Sequence, residues 1–173
     1  MPFVSCLVAL IATLIAAVTD ARSARIPNWL TYPLLVLGPV LSLFGSAGWL
    51  SSLVLSLLGI FVCALVPTLL FARKAMGGGD VKLLAALGGL LGPYSGIEVQ
   101  FFSFCVVSFV LLARMAWDGK LLATLRNVVI ASGHLFLPKR LQRPLEPTLL
   151  TDMRMGLSIF VATALSFVMR GQL

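Results

Sequence analysis

Charge is scarce in this chain. Only 11% of its 173 residues are Asp, Glu, Lys or Arg, six of these are acidic, and 60% of the chain is hydrophobic. So thin a polar coat cannot cover an ordinary soluble domain, and the composition belongs to a membrane protein. Histidine occurs once, at His134, and cysteine three times, at Cys6, Cys63 and Cys105, each inside an apolar run and none in a CxxC pair. These scarcities exclude an HExxH site, a His/Cys zinc cluster and a Ser/His/Asp set at one depth. The cysteines read as small buried hydrophobes rather than as a disulfide, redox pair or metal site. No metal or cofactor is expected. No linker, low-complexity tract, repeat or charge block divides the sequence, so it reads as a single domain over residues 1–173.

What charge there is carries information by its placement. The net charge is +7, but the Lys and Arg residues lie scattered between apolar runs and form no face that could track phosphates, which argues against nucleic acid. The opening stretch "MPFVSCLVALIATLIAAVTDARSAR" has the length of a secretory signal, yet no basic residue precedes its apolar run and Arg22 and Arg25 follow it. That is the wrong order for a cleaved signal, and the segment reads as a membrane helix. Apolar runs long enough to cross a bilayer predict six spans: Phe3 to Thr19, Trp29 to Gly45, Trp49 to Phe71, Val81 to Ile97, Val99 to Trp117 and Met155 to Met169. Trp29 and Trp49 fit interfacial belts. Between the last two spans, Leu121, Leu122, Leu125, Val128 and Val129 make one apolar stripe, while Arg126, Asn127 and His134 make a seventh crossing costly; a central Arg alone costs about 2.5–3.5 kcal/mol. Residues 120–132 are therefore expected to form an amphipathic helix on the cytoplasmic membrane surface. The fold expected is an all-α membrane bundle of about six transmembrane helices.

Sorted by connection, all of the thirteen Lys and Arg residues except Arg170 fall on the side of the odd-numbered loops. By the positive-inside rule that side is cytoplasmic and both termini are outside. Asp20, at the end of the first span, and Asp80, at the start of the fourth, then reach the same depth on the same side. Asp118, Glu146 and Asp152 fall in or beside the long cytoplasmic loop, and Glu98 lies outside.

Two carboxylates in a partly dry site resist double ionisation, because burial and like charge both oppose the second negative charge. One member can then remove a proton from water while its protonated partner donates to a peptide carbonyl, which is the requirement of aspartic proteolysis. The titration belongs to the pair, so the sequence leaves open which member starts ionised. Gly77, Gly78 and Gly79, immediately before Asp80, would let an extended substrate backbone come close. Taken alone, each acid has a plainer explanation. A Gly-rich turn with Asp near a helix start is ordinary capping, and Asp20 could pair with Arg22 or Arg25. Their common depth beside a glycine run favours the chemical reading.

These residues carry a resemblance. "GGGDVKLLAALG" resembles the GxGD motif of the type IV prepilin peptidases, with Gly77, Gly79 and Asp80 at its defining positions and Lys82 continuing it. "DARSARIPNWLT" is similar to that family's first-aspartate motif, through Asp20, Ile26, Pro27 and Asn28. The resemblance implies an aspartic endopeptidase of the bacterial inner membrane, cutting basic leaders from prepilins or pseudopilins at the cytoplasmic border, with Asp20 and Asp80 as the catalytic pair. In size the chain is similar to the short peptidases of tight-adherence pili. The larger relatives' segment with two CxxC pairs has no counterpart here, so methylation of the new N-terminus is not expected. The family's Pro-aromatic-Gly element near the last span is kept only at Gly156, which follows Arg154 and Met155.

The other polar residues have simpler readings. Lys82 stands two positions from Asp80, on a different side of a helix, and reads as a positive-inside anchor. Pro27 and Asn28 end a loop and open the second helix. Beside the peptidase stand two readings from other classes: an ion transporter using the paired carboxylates, against which no inverted repeat or mid-membrane acid is found, and a non-catalytic scaffold for pilus assembly.

Overall fold

A computed structural model of the chain describes residues 3–44, 48–73, 76–117 and 155–171. The amphipathic helix expected over 120–132, together with Asp118, His134, Glu146 and Asp152, lies outside the described residues. Two compact units are present, Met1–Val106 with Asp152–Leu173, and Val107–Thr151. The packing described below belongs to the first.

Among the described residues the chain is all helical, with α1 (Phe3–Ser23), α2 (Asn28–Ser42), α3 (Trp49–Ala72), α4 (Gly78–Trp117) and α5 (Gly156–Met169). Among the described residues, three stretches are long and apolar enough to cross a membrane: Val4–Ser23, Trp49–Ala72 and Gly78–Arg114. The helices α2 and α5, of 15 and 14 residues, are shorter. Of the six expected spans, the fourth and fifth lie within α4, and the boundary between them is corrected. It falls at Gly92 rather than between Ile97 and Val99, because Gly92 has φ 78° and ψ 170°, a left-handed conformation that glycine alone adopts cheaply. Pro93 follows with no N–H to give and opens the next helical segment. In an unbroken helix residues eight apart lie about 12 Å apart. Here a Cβ on Gly96 would stand 2.8 Å from the Cα of Gly88, so the chain doubles back at the break.

The first segment of α4 is the centre of the unit. Residues 83–91 are buried without interruption, as expected of a helix that is apolar all round. It is packed backbone to backbone: a Cβ on Gly88 would lie 2.2 Å from the carbonyl oxygen of Gly59 on α3, and one on Gly38 of α2 would lie 2.8 Å from the Gly89 carbonyl carbon. The hydroxyl of Ser56 on α3 donates to the Gly89 carbonyl at 2.8 Å. Around this core α1 packs on α5 and on α2, and α2 on α3. Helix α1 turns small residues inward and large ones outward. On α1, Cys6, Ala9, Thr13, Ala16 and Asp20 are buried at spacings of three and four, while Val4, Leu7, Ile11, Leu14 and Val18 are exposed at the same spacings. Where the surrounding medium is lipid, close approach of small side chains holds helices together better than further greasy bulk.

Cys6 and Cys63 are buried, as their apolar surroundings imply, but Cys105 is exposed. It stands four residues from each of Phe101 and Phe109, both exposed, on the outward stripe of α4. Its apolar neighbours in sequence mark a lipid-type face, not a core.

Candidate active site

Asp20 owes its place to the inward stripe of α1. Helix α1 continues to Ser23, beyond the span expected to end at Thr19, so Asp20 belongs to its last turn. The helix is closed by Ala24, whose N–H donates to the Asp20 carbonyl at 2.9 Å with φ at 51°. The side chain of Asp20 faces the protein interior, and the residue is only 6% exposed. Its Oδ2 accepts a hydrogen bond from the backbone N–H of Gly156 at 2.9 Å. Gly156 is the first residue of α5, where backbone N–H groups lack intrahelical partners and the helix dipole favours negative charge. The sequence-distant Asp20 thus supplies the acceptor that a capping side chain would otherwise provide.

Asp80 is the third residue of α4 and 8% exposed. Its carboxylate turns back over the start of the helix, where a Cβ on Gly77, the residue before α4, would lie 2.9 Å from Oδ2. This reach-back from the third helical position is one half of a capping box. The capping explanation of Asp80 therefore fits its place in the helix. The two carboxyl groups lie close enough to interact electrostatically. Two buried carboxyl groups, each at a helix start, are what the structure brings together.

The glycines have intramolecular reasons to lack side chains. A Cβ on Gly79 would press on Ile26 at 2.9 Å, one on Gly77 would meet Asp80 Oδ2 at 2.9 Å, and one on Gly78 would lie 3.3 Å from the Phe71 ring. Gly156 is the most confined of the site glycines: its Cβ would sit 2.8 Å from that of Asp20 and 3.0 Å from the Ala16 carbonyl oxygen. Pro27, in an extended conformation, is the cap residue of α2, and Asn28 is its first helical residue. Lys82 turns away from Asp80 toward α2, where its ammonium donates to Asn28 Oδ1 at 2.8 Å and to the Tyr32 hydroxyl at 3.0 Å.

Tyr32 is absent from the sequence reading, although its position one turn after Asn28 places both on one helix face. Met76, also absent, and Met155 are buried immediately before Gly77 and Gly156. Glu98 is not part of the site. It is ion-paired with Arg170, just past the far end of α5 from Gly156, and accepts from Ser166 at 3.2 Å. Arg170 also donates to Ser95 at 2.8 Å. Among the described residues, Glu98–Arg170 is the single ion pair, and no three His, Cys, Asp or Glu side chains form a group that could hold a metal ion.

Fold and site together define a helical membrane protein with a buried pair of acids. The sequence pattern of the type IV leader peptidase family matches residues 7–112, more than half of the chain, and the chain belongs to that family. It is 35% identical over 95 residues to a prepilin leader peptidase/N-methyltransferase of Neisseria gonorrhoeae, covering 53% of this chain and 33% of that protein. A prepilin leader peptidase/N-methyltransferase of Vibrio cholerae is 30% identical over 108 residues, 58% of this chain and 39% of its own length. A preflagellin peptidase of Methanococcus voltae is 30% identical over 90 residues, 51% of this chain and 38% of its own. The matches thus span between a third and two fifths of these relatives. No solved structure matches.

Proposed function

We propose that this chain is an aspartic endopeptidase of the GxGD type, cutting the basic leader from prepilins or pseudopilins, with Asp20 and Asp80 as its catalytic pair. One observation carries the reading: two carboxyl groups 60 positions apart are both buried at helix starts, Asp20 on the Gly156 N–H of α5 and Asp80 in the first turn of α4, close enough to interact electrostatically. With Asp20 Oδ2 held by the Gly156 N–H, the remaining lone pairs of the two groups hold a water between them. The ionised aspartate takes a proton from that water as its oxygen attacks the scissile carbonyl, and the protonated aspartate donates to the carbonyl oxygen. Collapse of the tetrahedral intermediate returns a proton to the leaving amine, and the pair is restored.

The site lies at the ends of α1, α4 and α5, at one end of the helical unit. In the proposed topology this end is the cytoplasmic border of the bacterial inner membrane, the bundle has six spans, and the N-terminus is outside. A prepilin whose leader precedes an apolar helix would present its cleavage site at that border. The absence of CxxC pairs in these residues supports leader cleavage, not methylation, as their chemistry.

Co-expression with a prepilin in cells lacking their own leader peptidase tests this. The expected result is a shift of the pilin to its shorter form on a gel, insensitive to chelators. A pilin left at full length, with the protein present in the membrane, would contradict it.

A further inference from the structure

The first turn of α4 is joined to the start of α2 at two points. At one, Gly79 lies so close to Ile26 that a Cβ would stand 2.9 Å from the Ile26 Cβ. At the other, the Lys82 ammonium donates to Asn28 Oδ1 at 2.8 Å and to the Tyr32 hydroxyl at 3.0 Å, and lies 4.5 Å from the centroid of the Tyr32 ring. A lysine anchoring the protein to lipid headgroups would leave its donors to solvent or phosphate. Here two of the three ammonium donors are spent on protein acceptors, and the charge rests against an aromatic face.

The geometry has a consequence for the acids. Asp20 lies in the last turn of α1, and only residues 24–27 separate that helix from α2. Asp80 stands one residue after Gly79 and two before Lys82. Whatever fixes the start of α2 against the start of α4 therefore fixes, through a four-residue connection, where Asp20 stands relative to Asp80.

We infer that Lys82 is a positioning residue: by clamping Asn28 and Tyr32 it sets the spacing of the Asp20–Asp80 pair, without touching substrate. The inference rests on the peptidase reading for its functional meaning. Lys82 works through a compact ammonium with defined partners, so arginine, which carries the charge on a longer planar fork, is a poor replacement.

The test is steady-state cleavage of a prepilin peptide by purified protein in micelles. Lys82→Met is expected to lower kcat at least about tenfold while KM stays within about twofold, and Lys82→Arg to lower kcat several-fold despite keeping the charge. Asn28→Ala should lower kcat less, and Lys82→Met with Asn28→Ala should be no worse than Lys82→Met alone, since both remove the same link. A rise in KM with kcat intact would overturn the inference by making Lys82 a substrate contact, and additive losses or full activity in Lys82→Arg would overturn it as well.

A second readout needs no activity. With the native cysteines replaced by alanine, Asp20→Cys and Asp80→Cys are bridged by a short bifunctional maleimide, and adding Lys82→Met should cut the crosslinked yield several-fold. An unchanged yield would overturn the clamp. A wild-type protein that cleaves no prepilin would instead sink the peptidase reading and leave this measurement to decide the clamp.

Discussion

The backbone N–H of Gly156 donates to Oδ2 of Asp20 at 2.9 Å across 136 positions of sequence. The start of the last helix is thereby fastened to the end of the first, at an acid the proposed chemistry requires. A side chain at Gly156 has nowhere to go, with Asp20 and the Ala16 carbonyl both within 3.0 Å of its Cβ. Gly156→Ala should push α5 away and break the bond. A hydrogen bond to a charged group contributes about 1.5–3 kcal/mol, so kcat should fall by about 10- to 100-fold, with KM little changed. Kinetics on a prepilin peptide, with membrane accumulation as the control, check this; activity close to wild type would show that the contact does not position Asp20.

Ala24 offers a change in the opposite direction. It ends α1 at φ 51°, where an L-residue with a Cβ is strained by about 1–2 kcal/mol and glycine is not. Ala24→Gly is expected to raise the thermal midpoint in detergent by a few degrees and to leave cleavage unchanged. A lower midpoint would mean that glycine's greater freedom in the unfolded chain outweighs the relief of strain.

The crossing of α3 and α4 at Gly59 and Gly88 leaves no room for a side chain, since a Cβ on Gly88 would stand 2.2 Å from a carbonyl oxygen. The obstacle is backbone, which cannot rotate aside. Gly88→Val should prevent assembly of the bundle, read as loss of the protein from the membrane fraction. Leu14→Ala, on the exposed stripe of α1, should accumulate normally. Equal accumulation of the two variants would contradict the packing described.

Glu98 and Arg170 pair at the other end of α5 from the acids, and both side chains are partly exposed. Such a pair contributes about 1 kcal/mol or less. Glu98→Gln should therefore lower the thermal midpoint slightly and keep kcat within about twofold of wild type. A tenfold loss of kcat would mean that this end of α5 governs the site.

The helical class is legible in the sequence, because apolar length is a one-dimensional signal, and the distribution of basic residues supplies the expectation that Asp20 and Asp80 lie at one depth. The helix break is legible only as an interruption of the fourth expected span by Gly88, Gly89, Gly92 and Pro93. Hydropathy is high on both sides of Gly92, and what turns the chain is a positive φ that no hydropathy window registers. The exposure of Cys105 is hidden for a related reason: next to lipid, the outer face of a helix is as apolar as the inner one, so greasiness does not tell them apart. Residue size does, and the stripe of Ala9, Thr13 and Ala16 leading to Asp20 was the available signal for which way that acid faces. The partners of Lys82 and Gly156 come from distant positions, and only packing reveals them.

The most direct measurement is mass spectrometry of a prepilin peptide incubated with purified protein. The wild type is expected to yield a single cut between the basic leader and the apolar segment, and Asp20→Asn and Asp80→Asn, each isosteric and each folded by thermal midpoint, are expected to yield none. Product from either variant at a rate comparable to wild type would contradict the claim that the two acids act together as the catalyst.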